Sequence, residues 1–516
     1  MTPRHTDTKD RTAVMSMNRF VAGPDFYNYD MYGGLRPGKL VQFFSMTFLG
    51  LVAATFTSSF IYTGARFGLL PMISNKLQLN EAQTEAMNRL VEVPAAMAFF
   101  VGLYADAVPV FGSRRKSYMI IGLSLSLLCL GLLGLGSLLA TEFNQTMGKT
   151  FHYIMMLLMG GVSFGSMINF CSVHTAVVTL SQCESLEKRG VFQADYLIAR
   201  ATGQISARLL VYLIQNIVGT FNTSLVLLVL MVLSISTIIV VLTTLDEPSV
   251  HQKESLRCKC ESYWKLTKQK AVWRSLIVIA SFAFFLNFGF PLVSQALREW
   301  TQTTDHVSKL ITSTLSDLVM VLTVFVWRWK LRNILWKKIF AMAPIMTIAP
   351  QILMAGLIIP ALCRSPVVYI VLSGLTGVAL GVMALLLLAP VTEIIEEGSE
   401  GGVVGLALSF NTMFKIFVST LLTTIQRTSY FPSSNDIDMI HWRWSIAILA
   451  IGTCCVNSLA FVAIPILPLQ KLDAQLVRMY GGFTNSASAL TAAAFFLSLS
   501  YCVAYNIYIF SEAIYA

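Results

Sequence analysis

The sequence predicts an all-α protein that crosses a membrane many times, built from two bundles of six helices and an additional C-terminal helix. Two observations lead to this prediction. Hydrophobic residues make up 55% of the 516 residues and charged residues only 12%, whereas a soluble domain carries about a quarter charged residues. The apolar residues also form runs of about 20, the length of a helix that spans a bilayer.

The chain begins with a basic, polar tail at residues 1–39, which is predicted to be cytoplasmic. Twelve apolar runs follow, and a thirteenth lies near the C-terminus. The predicted spans are 40–63, 84–105, 117–140, 151–173, 195–219, 224–245, 275–297, 309–326, 339–360, 367–391, 402–425, 444–467 and 488–510.

The longest internal loop, 246–274, divides the first twelve spans into an N-terminal bundle at 40–245 and a C-terminal bundle at 275–468. Residues 469–516 form a tail that holds the thirteenth span. The central loop is basic, and we expect a solvated cytoplasmic linker that lies against anionic lipid. With the N-terminus in the cytoplasm, most Lys and Arg residues fall in cytoplasmic loops, as the positive-inside rule requires.

Charge and cysteine usage exclude several classes of function. The net charge of +10 is confined mostly to loops between apolar runs, which argues against a nucleic-acid partner. The nine cysteines and six histidines show no metal-site spacing. We therefore expect no metal, no cofactor and no enzyme activity. A secondary transporter in a plasma or organelle membrane is favoured, and a transporter-like sensor or scaffold without transport activity is the alternative.

One short loop between the second and third spans combines a carboxylate, a tight turn and three cations. Its residues are Asp106, Pro109, Gly112, Arg114, Arg115 and Lys116. Such a carboxylate can cap the N-terminus of a neighbouring helix or pair with a cation. The alternative is an ordinary cytoplasmic loop that follows the positive-inside rule.

The stretch Asp106–Tyr118 resembles the signature of the folate-biopterin transporter family, a branch of the major facilitator superfamily. Phe67–Pro71, Asn75–Asn80 and Glu397–Gly402 are similar to further segments of that family. The resemblance covers about residues 36–469. It implies the major facilitator fold, alternating access, a folate or pterin substrate, and a gate at the loop of Asp106 that opens and closes on the cytoplasmic side.

Two positions depart from the family pattern. Ala98 stands where the family has a lysine, and residues 171–180 lack the carboxylates that the family carries at the end of the fourth span. The chain is therefore identified as a divergent member, whose cargo can be another small organic anion.

Charged and polar side chains inside the spans are functional candidates, because charge within a bilayer is costly. In the fifth span Arg200, Gln204 and Arg208 share one helix face. In the eleventh span Asn411 and Lys415 are neighbours one turn apart. We hypothesise that Arg208 and Lys415 face a cavity at matching depth and bind an anionic substrate. The alternative is that each pairs with an intramembrane carboxylate.

Three further residues are candidates for coupling transport to a proton. Glu92 and Asp317 are the obvious carboxylates within the spans, and His174 is a lone histidine near the cytoplasmic end of the fourth span. For Glu92 the alternative is a salt bridge with Arg89 or Arg66. For His174 the alternative is a hydrogen bond between helices. The expected partners are thus a small-molecule substrate, the bilayer and a coupling proton.

Overall fold

The computed structural model describes residues 33–36, 41–79, 81–142, 149–217, 223–248, 255–426 and 440–515. Apart from 33–36, the predicted tail at 1–39 lies outside these residues. The described residues form helices and connecting turns, with two isolated β-bridges. The prediction of an all-α protein is confirmed.

The described residues of the first half form six long helices, in agreement with the six spans predicted there. Their bounds are α1 Met46–Lys76, α2 Gln83–Ala107, α3 Lys116–Glu142, α4 Lys149–Ser181, α5 Val191–Ile217 and α6 Thr223–Thr244.

The rest of the described chain forms ten helices. Their bounds are α7 Leu256–Lys268, α8 Lys270–Phe285, α9 Pro291–Trp300, α10 His306–Leu331, α11 Trp336–Ile358, α12 Pro366–Ile394, α13 Glu400–Gln426, α14 Trp442–Ile466, α15 Lys471–Tyr480 and α16 Asn485–Tyr515.

Twelve of the described helices are long and apolar enough to cross a membrane, and α16 is one of them. The additional C-terminal helix is therefore present. The seventh predicted span is different, because it is not one continuous helix. It is broken into α8 and α9 by residues 286–290. Pro291 begins α9 without a backbone N–H, and the residue before a proline disfavours helical backbone, so Phe290 is extended.

The two halves share one apolar core at one end of the molecule and have separate cores at the other. The shared core includes Leu51 and Tyr196 of the first half and Ile279 and Leu388 of the second. Toward the other end, the first half packs around Met87 and its neighbours, and the second half forms a core of its own. We call the end with the shared core the linker face, because the linker helix α7 lies there.

The linker helix α7 differs from the expected solvated linker. Lys259, Tyr263 and Leu266, which follow one another at helical spacing, are all buried, whereas Trp264 on the opposite side is exposed. One face of α7 is therefore packed on the bundle.

The last helix, α16, packs on both halves of the molecule. The ring of Phe495 lies 5.5 Å from that of Phe99 on α2 and 5.8 Å from that of Phe410 on α13. In a bilayer such packing, rather than exclusion from water, is what holds helices together. The helix α16 thus bridges the two bundles.

Candidate functional site

Asp106, at the C-terminal end of α2, is the centre of the contacts that close the linker face. Its side chain is fully buried, and its Oδ1 forms an ion pair with Nη2 of Arg115 at 2.6 Å. Its Oδ2 accepts hydrogen bonds from the backbone N–H of Gly402 at 2.9 Å and from the hydroxyl of Tyr263. Asp106 therefore pairs with a cation and also caps α13 of the other half, where the helix dipole favours a carboxylate.

The turn that follows Asp106 starts helix α3. Pro109 is buried, and Gly112 has a φ of +76°, a backbone conformation that favours glycine. The carboxylate of Glu247, just after α6, accepts hydrogen bonds of 2.8 to 3.1 Å from the successive backbone N–H groups of residues 114–116. Arg114, Arg115 and Lys116 thus form a capped first turn within the first half.

A chain of alternating charges extends from Asp106 across the linker face. Glu400, the first residue of α13, accepts a hydrogen bond from Arg36 at 2.7 Å and lies 3.5 Å from Nη2 of Arg115. At the same level α2 and α13 touch backbone to backbone, since a Cβ added at Gly102 would lie 1.9 Å from the carbonyl oxygen of Gly401. The two halves are in direct contact here.

A second set of contacts closes the linker face between the α4–α5 turn and the C-terminal part of the chain. Arg189 and Glu393 form a fully buried ion pair at 2.9 Å. Gln475 of α15 donates to the same carboxylate at 2.7 Å. The ammonium group of Lys471 donates to the carbonyl oxygens of Leu186 and Arg189 at 3.0 and 2.9 Å. The helix α15 therefore joins the halves as well.

Burial shifts the pKa values of two ionisable groups in or next to this second set toward neutral pH. Burial raises the pKa of Glu184 to about 7, although hydrogen bonds from the N–H groups of Gly190 and Phe192 oppose the shift. Burial lowers the pKa of Lys471 to about 7, with Glu393 opposing that shift. Lys471 joins the two halves, whereas Glu184 accepts its hydrogen bonds at the start of α5 within the first half.

Further charged side chains lie near the middle of the membrane-spanning helices, between the halves. We call them the central charge cluster. Each lies seven to eleven residues from the end of its span opposite the linker face, which is roughly 10–17 Å at 1.5 Å per residue. The members are Arg66, Glu92, Arg208, Asp317 and Lys415.

Four members of the central charge cluster form two ion pairs. Nη2 of Arg66 lies 2.6 Å from Oε1 of Glu92, within the first half. Arg208 pairs with Asp317, and this pair joins α5 of the first half to α10 of the second. The guanidinium of Arg208 also lies 4.8 Å from the ring centroid of Phe67. Both pairings are alternatives that the sequence had left open.

Lys415 is the remaining cation of the central charge cluster. Among the described residues it has neither a hydrogen bond nor an ion pair, and its electrostatic neighbours are Arg66 and Glu92 of the first half. Its side chain is exposed although it is in the middle of α13, and Asn411, one turn away, is half-buried. The side chain therefore points into an accessible space between the halves, and the described cluster carries one surplus positive charge.

The other predicted residues lie closer to the linker face. The guanidinium of Arg200 lies 4.2 Å from the ring centroid of Phe170. His174 is buried, and its Nδ1 is 3.0 Å from the hydroxyl of Tyr196 on α5. Gln204, one turn along α5 from Arg200, is half-buried. The structure thus brings Arg208, Lys415, Glu92 and Asp317 into one layer and leaves Gln204 and His174 outside it. Arg200 lies nearer the linker face and still interacts electrostatically with Asp317.

Sequence reasoning missed two contacts between the halves and the depth of Arg66. Arg66 was named as an alternative partner of Glu92, but the first span was predicted to end at residue 63, whereas a π-helical turn at Ala65–Leu69 carries α1 on to Lys76. Tyr263 was assigned to a solvated linker, although its spacing from Lys259 and Leu266 is that of a packed helix. The pair of Arg189 and Glu393 joins distant segments, and no local signal indicates it.

These features define a multi-pass membrane transporter with the major facilitator fold. In the described part of the chain no group of three or more His, Cys, Asp and Glu side chains could hold a metal ion. The chain belongs to the BT1 family, the folate-biopterin transporter family, which matches residues 64–425. This family lies among transporters rather than enzymes.

Comparison with solved structures shows the same fold. A bacterial homologue of the iron transporter ferroportin, solved in its outward-facing state, is 14% identical in sequence with a TM-score of 0.54. The similarity covers 82% of this chain and 99% of that one. Comparison with curated proteins finds no match.

Proposed function

We propose that this protein is a secondary active transporter that carries a small organic anion across the membrane by alternating access. The surplus positive charge of Lys415 is the observation that carries the proposal. A lysine at this depth is costly unless it has a partner, and among the described residues both carboxylates of the cluster are already paired with arginines. An anionic substrate would supply the missing partner.

The ion pairs of the cluster offer a route to coupling. An anion bound to Lys415 would lie beside Arg66 and compete with Glu92 for it. Protonation of Glu92 removes that competition, so Glu92 is the first candidate for the coupling proton. Asp317 is the second, because a proton on it would free Arg208 to bind substrate and would release the contact between α5 and α10. His174 is the third candidate.

We propose a folate or pterin as the substrate class to test first. Family membership favours it, and aromatic rings lie beside the cations of the cluster: Tyr62 accepts a hydrogen bond from Arg66 at 3.4 Å, and Phe67 lies against Arg208. A flat heteroaromatic anion could stack on such rings while its carboxylate binds a cation. The departures at Ala98 and residues 171–180 make another organic anion the next candidate for this divergent member.

We further propose that the linker face is cytoplasmic, because basic residues accumulate there and the positive-inside rule relates such an excess to the cytoplasmic side. The two bundles at 40–245 and 275–468 would then rock about the central charge cluster, and the contacts of Asp106 would form the cytoplasmic gate. The surrounding membrane would be a plasma or organelle membrane.

The test is uptake of labelled folate and biopterin into vesicles that contain the protein, with and without a proton gradient. Lys415→Gln should raise the KM for the anion by about ten-fold or more, since a hydrogen bond to a charged group is lost. Lys309→Gln is the matched control, because it removes the same charge from an exposed position on α10. Equal uptake by the two variants would contradict the role of Lys415.

A second variant, Asp106→Asn, tests the proposed gate. It should reduce uptake without changing binding of the substrate to detergent-solubilised protein, because it acts on the gate and not on the central charge cluster. Saturable binding without any uptake by the wild-type protein would favour the sensor or scaffold function instead.

A further inference from the structure

The linker helix α7 contacts both halves of the protein at the point where they close. The hydroxyl of Tyr263 donates a hydrogen bond to Asp106 of α2, and it accepts one from the backbone N–H of Gly402 of α13 at 3.2 Å. A single side chain of the segment between the bundles therefore bridges the two helices that must separate when the linker face opens.

Other residues of the same segment fix it to the turn that precedes α13. The ammonium group of Lys259, one turn before Tyr263, donates to the carbonyl oxygen of Gly398 at 2.8 Å. At the end of α7, the side-chain amide of Gln269 donates to Glu396 at 3.0 Å. The linker is thus attached to the second half by two contacts that do not involve Tyr263.

The fit around the tyrosine ring is tight. A Cβ added at Gly402 would lie 2.3 Å from Cζ of Tyr263, so the first turn of α13 leaves room for the ring only because residue 402 is glycine. The ring also packs edge-on against that of Phe99 on α2, at 6.3 Å between centroids. The tyrosine occupies a site shaped by both helices.

Charge explains why a neutral donor is suited to this position. Asp106 already has its cation in Arg115, and Glu400 is balanced by Arg36 and Arg115. The hydroxyl of Tyr263 completes the hydrogen bonding of the Asp106 carboxylate without adding charge, and burial beside Asp106 raises the pKa of that tyrosine, so it stays a donor.

We propose that the linker helix is a working part of the gate, with Tyr263 as a positioning residue that stabilises the closed linker face and leaves Asp106 when that face opens. The linker would then remain on the second half through Lys259 and Gln269 while α2 moves away. This inference rests on the alternating access proposed above, and it adds a moving part that joins the two bundles.

The experiment measures opening of the linker face without any substrate. Ser409 of α13 is fully buried and accepts a hydrogen bond from the backbone N–H of Phe99, so a cysteine at this position reports separation of α2 and α13. In a Ser409→Cys background, alkylation by a polar maleimide is followed at residue 409 by mass spectrometry. Tyr263→Phe should raise the labelling rate about ten-fold, the effect of losing one hydrogen bond to a carboxylate.

Two comparisons keep the result interpretable. Tyr480→Phe removes the same hydroxyl from an exposed position, and it should leave labelling unchanged. Cys129, buried in the core of the first half, reports loosening of the whole fold. An unchanged rate in Tyr263→Phe, or a parallel rise at Cys129, would overturn the proposal.

A further variant separates this proposal from alternating access itself. Gly102→Ala forces α2 and α13 apart sterically, independently of the hydrogen bond between Tyr263 and Asp106. If Gly102→Ala raises labelling at residue 409 and Tyr263→Phe does not, the role of the linker is refuted while alternating access stands. If neither variant raises it, the linker face does not open and both proposals fail.

Discussion

Replacing Gly102 by alanine is the sharpest test of how the linker face closes. The added Cβ would lie 1.9 Å from the carbonyl oxygen of Gly401 and 2.5 Å from its carbonyl carbon. Both are backbone atoms that cannot rotate away. Side-chain contacts of this kind do not occur below 3.0 Å, so α2 and α13 must move apart by about 1 Å.

The cost of that movement can be estimated. Overpacking by one methyl group typically costs about 1–3 kcal/mol, and here the cost is confined to the conformation in which α2 and α13 touch. The equilibrium should therefore shift toward an open linker face by about 5- to 150-fold. The charges of Asp106, Arg115 and Glu400 are unchanged by this substitution, so the shift would be steric in origin.

Alkylation in a Ser409→Cys background measures the shift toward an open linker face. Gly131→Ala is the control. Gly131 is also in the interior of a membrane-spanning helix, but a Cβ there would meet no atom within 4 Å. Both substitutions gain the same helix propensity, so only the contact with α13 distinguishes them. Equal labelling of Gly102→Ala and Gly131→Ala would show that the close crossing of α2 and α13 does not hold the linker face shut.

Three further predictions concern the stability of the protein in detergent. Arg189→Met leaves the buried carboxylate of Glu393 without its cation, and it should lower the free energy of unfolding by about 3–5 kcal/mol, as measured by thermal melting; a melting temperature equal to that of the wild type would contradict this. Because burial raises the pKa of Glu184 to about 7, the native state binds the extra proton between pH 4.5 and 7. Stability should fall by about 3 kcal/mol as the pH rises through that range, and Glu184→Gln should flatten the profile. Phe495→Ala should cost about 3–5 kcal/mol through lost packing of α16, whereas Phe496→Ala, at an exposed neighbour, should cost little; equal losses would mean that α16 is not held by that ring.

Much of the fold could be predicted because hydropathy and helix length are local properties. A run of about 20 apolar residues must satisfy its backbone hydrogen bonds internally, so it forms a helix in a bilayer wherever it lies in the chain. This argument gave the positions of twelve continuous helices, including α16. It did not reveal the break between α8 and α9, since the average hydropathy of residues 275–297 hides the effect of Pro291 on a helix.

The ion-pair partners of the charged side chains were harder to predict than the positions of the helices. The sequence singled out Arg208, Asp317, Glu92 and Lys415 because charge within a membrane is costly, but it could not decide which of them are paired. The pair of Arg208 with Asp317, the pair of Arg66 with Glu92 and the exposed side chain of Lys415 depend on which helix faces lie opposite each other.

The sequence by itself determined the class of protein, the order of its helices and the carboxylate and cations of the loop at Asp106, because these follow from composition and from spacing along the chain. Only the tertiary structure decided that Asp106 caps α13, that Tyr263 of the linker joins this contact and that Lys415 is the surplus cation. The reason is physical: such contacts join residues far apart in the chain, and a hydrogen bond or ion pair acts only over a few ångströms in space.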